Sequence, residues 1–253
     1  MPTPPRNPTA GRSLRSLPPV PVARAAEPGV RVPKPERPAA TASPALPPGT
    51  VLWPAAVTLA VTLVRLVGER RGWSPDYFST LPGGGLAYVG ITWLVPLVGA
   101  YFGWQLARAR VAAPGLGALV GWNLAALAVG LGIGYGLEKA LNPSPTRTLV
   151  LWAVVSLVVS AMSLSTWPAL GKLLLAYAAA ARVPVLVVMA LAIRGRWGTH
   201  YDALQPDFPL LGGLGRWLWT GLLPQATVWV AFTLALGAAF SAIGVLLASR
   251  PPR

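Results

Sequence analysis

Arg182, in the run AYAAAARVPVLVV, is the residue whose setting most constrains this chain. It stands near the middle of an apolar stretch long enough to cross a bilayer. A mid-membrane arginine costs about 2.5–3.5 kcal/mol on insertion scales, so it needs a partner or water. No acidic residue stands deep in any apolar stretch. The candidate partners are therefore the side chains of Gln105, Asn123 and Gln225, Glu138 from a helix end, and carbonyls freed by proline. Two roles fit such an arginine: contact with an anion or lipid headgroup in a cavity, or a structural residue that ties helices together or snorkels.

A second set of polar residues lies in the loop RGRWGTHYDALQPDFP. It holds His200, the only histidine, with Asp202 and Asp207. Histidine and aspartate at two-residue spacing can ligate a metal or relay protons. One histidine and two aspartates are too few to define a metal site, and the same residues suit a loop of Asx-type turns folded back on the bundle.

Other chemistry is missing. There is no cysteine, which removes disulfides, thiolate catalysis and cysteine metal sites. No HExxH or Walker pattern occurs, no serine elbow accompanies the histidine, and no pair of intramembrane aspartates is present. A single histidine cannot supply two axial haem ligands. The expectation is a non-enzymatic protein with no cofactor and no metal.

These residues must be positioned by membrane helices. Of the 253 residues 54% are hydrophobic and only 11% charged, against about 25% charged in soluble domains. A hydrocarbon core of about 30 Å takes roughly 20 helical residues to span, and backbone in lipid must satisfy its own hydrogen bonds. Six stretches qualify: 51–68, 86–107, 115–136, 148–166, 173–193 and one within 217–248. The expected architecture is an all-α integral membrane bundle of about six transmembrane helices over residues 50–249, preceded by a disordered tail over 1–49.

Prolines mark interior breaks at Pro96, Pro184 and Pro224. Pairing Pro96 with Pro184 would make the second and fifth spans equivalent members of a three-plus-three repeat, the arrangement that marks some transport sites. In the third span Gly117 with Gly121, and Gly132 with Gly136, recur at four-residue spacing, which lets helix backbones approach. Ser156, Ser160 and Ser163 line one side of the fourth. Most of the tryptophans, Trp53, Trp152 and Trp217 among them, fall near span ends as an aromatic belt, while Trp122 and Trp229 lie deeper as packing residues.

The tail is rich in proline and arginine, shows no apolar periodicity, and lacks the apolar core of a secretory signal. Its PxxP spacings at Pro5–Pro8 and Pro35–Pro38 suit a docking arm, and its charge suits a solvated cytoplasmic tail. The net charge of +14 would point to nucleic acid in a soluble protein. Here basic residues flank membrane helices, so the expected partners are membrane lipids and not nucleic acid. A homo-oligomer or a second membrane protein docking on the Gly-rich faces is the other expected partnership. Arginine-, alanine-, glycine- and proline-rich coding suggests a GC-rich bacterium. The expected location is therefore the bacterial cytoplasmic (inner) membrane, multi-pass, with both termini inside.

The run WGTHYDALQPDFP (Trp197–Pro209), followed by LLPQATVWVAFTLALGAAF (Leu222–Phe240), resembles a family of uncharacterised bacterial polytopic membrane proteins. The segment around Arg182 is locally similar to a helix of bacterial Yip1-type membrane proteins. Neither resemblance implies an activity. A membrane scaffold or interaction protein is the leading functional expectation, and a small transporter or channel with a polar cavity near Arg182 is the alternative.

Overall fold

The computed structural model describes residues 46–85, 87–209 and 211–249. The expected disordered tail, and the PxxP motifs within it, fall almost wholly outside the described residues. Among the described residues all regular structure is helical. Six long helices follow one another: α1 (Gly49–Arg70), α2 (Leu94–Arg108), α3 (Ala118–Leu141), α4 (Pro145–Thr166), α5 (Pro168–Gly195) and α6 (Gly213–Ala248). All but α2 are long and apolar enough to cross a membrane. The protein is a helical membrane bundle.

The second span is the one that departs from expectation. α2 has 15 residues, about 22 Å of rise, which is short of a bilayer core. The chain before it is spent on a single turn at Ile91–Trp93. Pro96 therefore sits in the first turn of α2, where its missing N–H costs little, and breaks nothing. Pro184 lies inside α5 instead. The two prolines are not equivalent, so they give no support to a three-plus-three repeat.

α2 can be short because it is an inner helix. Its face Val95, Val98, Gly99, Phe102, Gly103 and Leu106 is buried. Gly99 lies on the backbone of Gly237, Gly103 on that of Ser241, and Gly244 of α6 on the backbone at Ala100 and Trp104. The matching order of these contacts makes α2 and α6 parallel. Small residues at four-residue spacing permit this approach, but they are not the glycines the sequence singled out. Gly117, Gly121, Gly132 and Gly136 face open space. α3 instead lays Gly130 on Val159 and Gly134 on Trp152 of α4. Trp122, expected to pack deep, is half exposed and donates its indole N–H to the carbonyl of Met162.

α1 turns a polar stripe inward and its large apolar side chains outward. On α1, Thr50, Thr58, Thr62, Arg65 and Glu69 are buried, while Leu52, Leu59, Leu63 and Val67 are exposed to the surroundings. Lipid is as apolar as leucine, so outward leucine loses nothing and inward polar groups find partners. Thr58 shows the pattern, with its hydroxyl 2.9 Å from the Pro54 carbonyl and 2.8 Å from the Tyr177 hydroxyl of α5.

α6 is not one smooth helix. A wide π-type turn at Trp217–Leu222 precedes Pro224, and Thr227 leaves the helical region at φ −120°, ψ −73°. Pro224 is thus the site of a real break, as expected. Below it the helix resumes at Val228 and runs to Ala248.

The α2–α6 contact gives a direct test. Gly103→Ala should lose about 1–3 kcal/mol, because the added methyl meets backbone that cannot yield. Gly132→Ala, with nothing nearby, should unfold in detergent at or slightly above the wild-type temperature. Equal unfolding temperatures for the two variants would contradict this packing.

Candidate functional site

A cavity of about 590 Å³ opens at the end of the bundle where α1, α3 and α5 finish, and reaches inward to Arg182. Loop residues Pro82, Pro143 and Pro206 ring its mouth, and α1, α4, α5 and the broken part of α6 supply its walls. The volume lies within the ordinary range for small-molecule sites.

Arg182 is 6% exposed. Its Nη2 donates to Thr233 Oγ1 across 3.3 Å, and the guanidinium carbon stands 5.4 Å from the centre of the Trp229 ring. The Thr233 hydroxyl donates onward to the Trp229 carbonyl at 2.8 Å, which leaves its oxygen free to accept from the arginine. Arg182 Nε has no partner, and no carboxylate lies within 4.0 Å of the guanidinium among the described residues. One long hydrogen bond and a cation–π contact of roughly 0.5–2 kcal/mol leave much of the charge uncompensated. Sequence reasoning found the arginine. It missed Thr233, and it took Trp229 for a simple packing residue.

Of the expected partners, Glu138 and Gln225 line the same cavity, and Gln105 and Asn123 do not. The last two are spent on their own helices, one turn back. Gln105 Nε2 donates to the Tyr101 hydroxyl at 2.9 Å, and Asn123 Nδ2 to the Leu119 carbonyl at 2.8 Å. Asn123 is fully buried and its Oδ1 is unpartnered. Gln225 Oε1 is likewise unpartnered. Glu138 Oε2 accepts from Trp152 Nε1 at 2.9 Å, so Trp152 belongs to the cavity wall and not only to an aromatic belt.

The side chains of His200 and Asp202 go to different partners. Asp202 accepts from the backbone of Gly198 at 3.0 Å and of Thr199 at 2.7 Å, and from the Thr199 hydroxyl at 2.8 Å. That is an Asx-type turn. His200 turns instead to Glu69 at the end of α1, with Nδ1 2.5 Å from Oε1 and its backbone N 2.9 Å from Oε2. Arg65 Nε donates to the same Oε1 at 2.8 Å, and its Nη2 reaches the carbonyls of Ser79 at 3.3 Å and Gly84 at 2.8 Å. Gly84 has φ +83°, and a side chain there would strike the guanidinium. The Tyr201 hydroxyl donates to the Thr62 carbonyl at 3.2 Å. Two loops are thus clamped to α1 through Arg65, Glu69 and His200. Among the described residues no group of three or more His, Asp or Glu residues is placed to hold a metal.

Sequence reasoning missed the clamp; the one signal for its α1 half was the spacing Thr58, Thr62, Arg65, Glu69, every third or fourth residue. Arg65 is buried because Glu69 and two carbonyls receive it.

Burial pushes the His200 imidazole below its ordinary pKa and outweighs the opposing pull of Glu69 and Asp202, while Arg65 adds to the lowering. Burial raises the neighbouring Tyr201 phenol. A histidine depressed in the folded state contributes full stability above its unfolded pKa of about 6.5, and that contribution is lost as the pH falls below it. Hydrogen exchange of residues 198–208, corrected for intrinsic rates, should therefore accelerate from pH 7 to pH 5, and His200→Gln should flatten the dependence. Protection unchanged with pH in the wild type would count against this clamp.

Comparison with protein families, with curated proteins and with solved structures finds no match. What the fold and the site define is a class: a polytopic all-helical membrane protein whose core holds a cavity lined by a buried arginine.

Proposed function

We propose that this protein is a small transporter that binds an organic anion in the cavity, with Arg182 as the anion-holding group. The carrying observation is the cavity itself, because it gives an under-compensated buried cation a route to the outside. A purely structural arginine would be packed against acceptors. Arg182 has one long hydrogen bond and an idle Nε. An arriving carboxylate, sulfonate or phosphate group would supply charge-assisted hydrogen bonds of the kind the guanidinium lacks. The break in α6 beside Gln225 supplies the irregular helix that transport sites often use. A cavity lined by loop residues at one end and by Arg182 at its inner end suits one state of an alternating-access cycle. The membrane we assign is the bacterial cytoplasmic membrane.

The test uses octanesulfonate, which stays charged and does not cross lipid unaided. Purified protein should bind it with a change in tryptophan fluorescence, since Trp152 and Trp229 line the cavity. Vesicles carrying the protein should take it up faster than empty ones. Arg182→Gln should weaken binding at least about tenfold, a loss of about 1.4 kcal/mol, and abolish uptake. Binding that survives the substitution unchanged would remove Arg182 from the site.

A second reading, the membrane scaffold, is supported by one observation. Gly117, just before α3, and Gly121, Gly132 and Gly136 within it have nothing beside them among the described residues, which leaves a small-residue face for another membrane helix. It predicts a defined oligomer or partner complex in mild detergent that the double variant Gly132→Leu, Gly136→Leu dissociates. A monomer in both proteins, with nothing co-purifying, would contradict it.

A further inference from the structure

We infer that the ligand is dipolar, with its anionic end on Arg182, its cationic end on Glu138 near the mouth, and an apolar segment between. This rests on the anion-binding reading and adds the second charge and the spacing.

Arg65, Glu138, Arg182, His200 and Tyr201 line the cavity, Glu69 is bonded to two of them, and the Tyr201 hydroxyl is spent on the Thr62 carbonyl. Three of these groups consume one another, because Glu69 receives both Arg65 and His200. What remains is one cation at the inner end and one carboxylate near the mouth, each without an ion partner within 4.0 Å among the described residues. Lys139, the next residue along α3, turns away to the Tyr135 ring at 5.4 Å.

Glu138 is built as a cation site and not left as a surface charge. It is half-buried, and Trp152 fixes one oxygen by a hydrogen bond while exposing its indole to the same cavity. A carboxylate beside an indole suits an alkylammonium, through charge and cation–π attraction together. The C-terminal end of α3 lies three residues on, at Leu141, and its carbonyl dipoles add to the negative potential.

The two charges are well separated. Trp152, bonded to Glu138, is seven positions before Val159 on α4, about 10 Å of rise. Val159 packs with Ala231 and Ala235, on either side of Thr233, the partner of Arg182. Between the two levels the wall is mainly apolar, with Val185, Met189, Pro224 and Trp229, and Gln225 is the polar side chain among them. That sequence of surfaces fits an amine and an acid joined by a medium-length alkyl chain better than it fits a phospholipid headgroup, whose charges are adjacent.

The test compares octanesulfonate with its ω-amino derivative on the full chain in detergent, by calorimetry. The amino compound should bind about tenfold tighter to the wild type. Glu138→Gln, which keeps an acceptor for Trp152, should remove that advantage and leave octanesulfonate binding intact, which also reports that the variant is folded. Equal or weaker binding of the amino compound to the wild type, or an advantage that survives Glu138→Gln, overturns the dipolar ligand while the anion site stands. Failure of both compounds to bind the wild type overturns both readings.

Discussion

A guanidinium held at mid-depth in a bundle surrounded by lipid has to be given polar surroundings by the protein itself. Arg182 receives fewer than it needs from Thr233 and Trp229. The remainder is met by leaving space beside it. That space is costly in a membrane protein, because helix association there depends on van der Waals contact over the whole interface. The bundle recovers contact elsewhere, where α2 and α6 touch backbone to backbone through Gly99, Gly103, Gly237 and Gly244. The later part of α6, from Gly237 to Gly244, is packed backbone to backbone, and its earlier part, from Thr220 to Trp229, faces the cavity.

The mouth of the cavity depends on a different interaction. Glu69 gathers Arg65 and His200, and with them the loops before α2 and after α5. A buried pair of this kind is weak support for stability in itself, since desolvation offsets most of its Coulomb energy. Its consequence is geometric: Pro82, Gly83, Tyr201 and Phe208 are held as the rim of an opening rather than left to fold over it. Charge at the mouth is thereby neutralised internally, which leaves Arg182 and Glu138 as the groups able to recognise something else.

The fold class was legible because it follows from apolar length, and length is a one-dimensional property. Five of six spans coincide with helices long enough to cross. α2 failed the rule because residues 87–93 carry apolar side chains on backbone that is not α-helical, and hydropathy does not register a broken chain. Arg182 and Glu138 were found because an ionisable residue in or beside a span stands out by type. Gln105 and Asn123 were included for the same reason and do not belong, since each bonds one turn back on its own helix. The glycine interface was misplaced because Gly99/Gly103 and Gly117/Gly121 have identical spacing, and only the three-dimensional neighbours separate them. The His200–Glu69 contact joins residues 131 apart, and nothing local announces it.

A binding role for Arg182 requires that water reach it from one side of the membrane. The chain has no cysteine, so single cysteines can be introduced without background. Gln225→Cys, in the cavity wall, should react in sealed vesicles with a membrane-impermeant thiol reagent added on the side of the mouth. Val183→Cys, which neighbours Arg182 in sequence but is 59% exposed on the lipid side, should not. Reaction at neither position from either side, or equal reaction at both, would mean that Arg182 is sealed in dry packing, and the cavity would have no part in what this protein does.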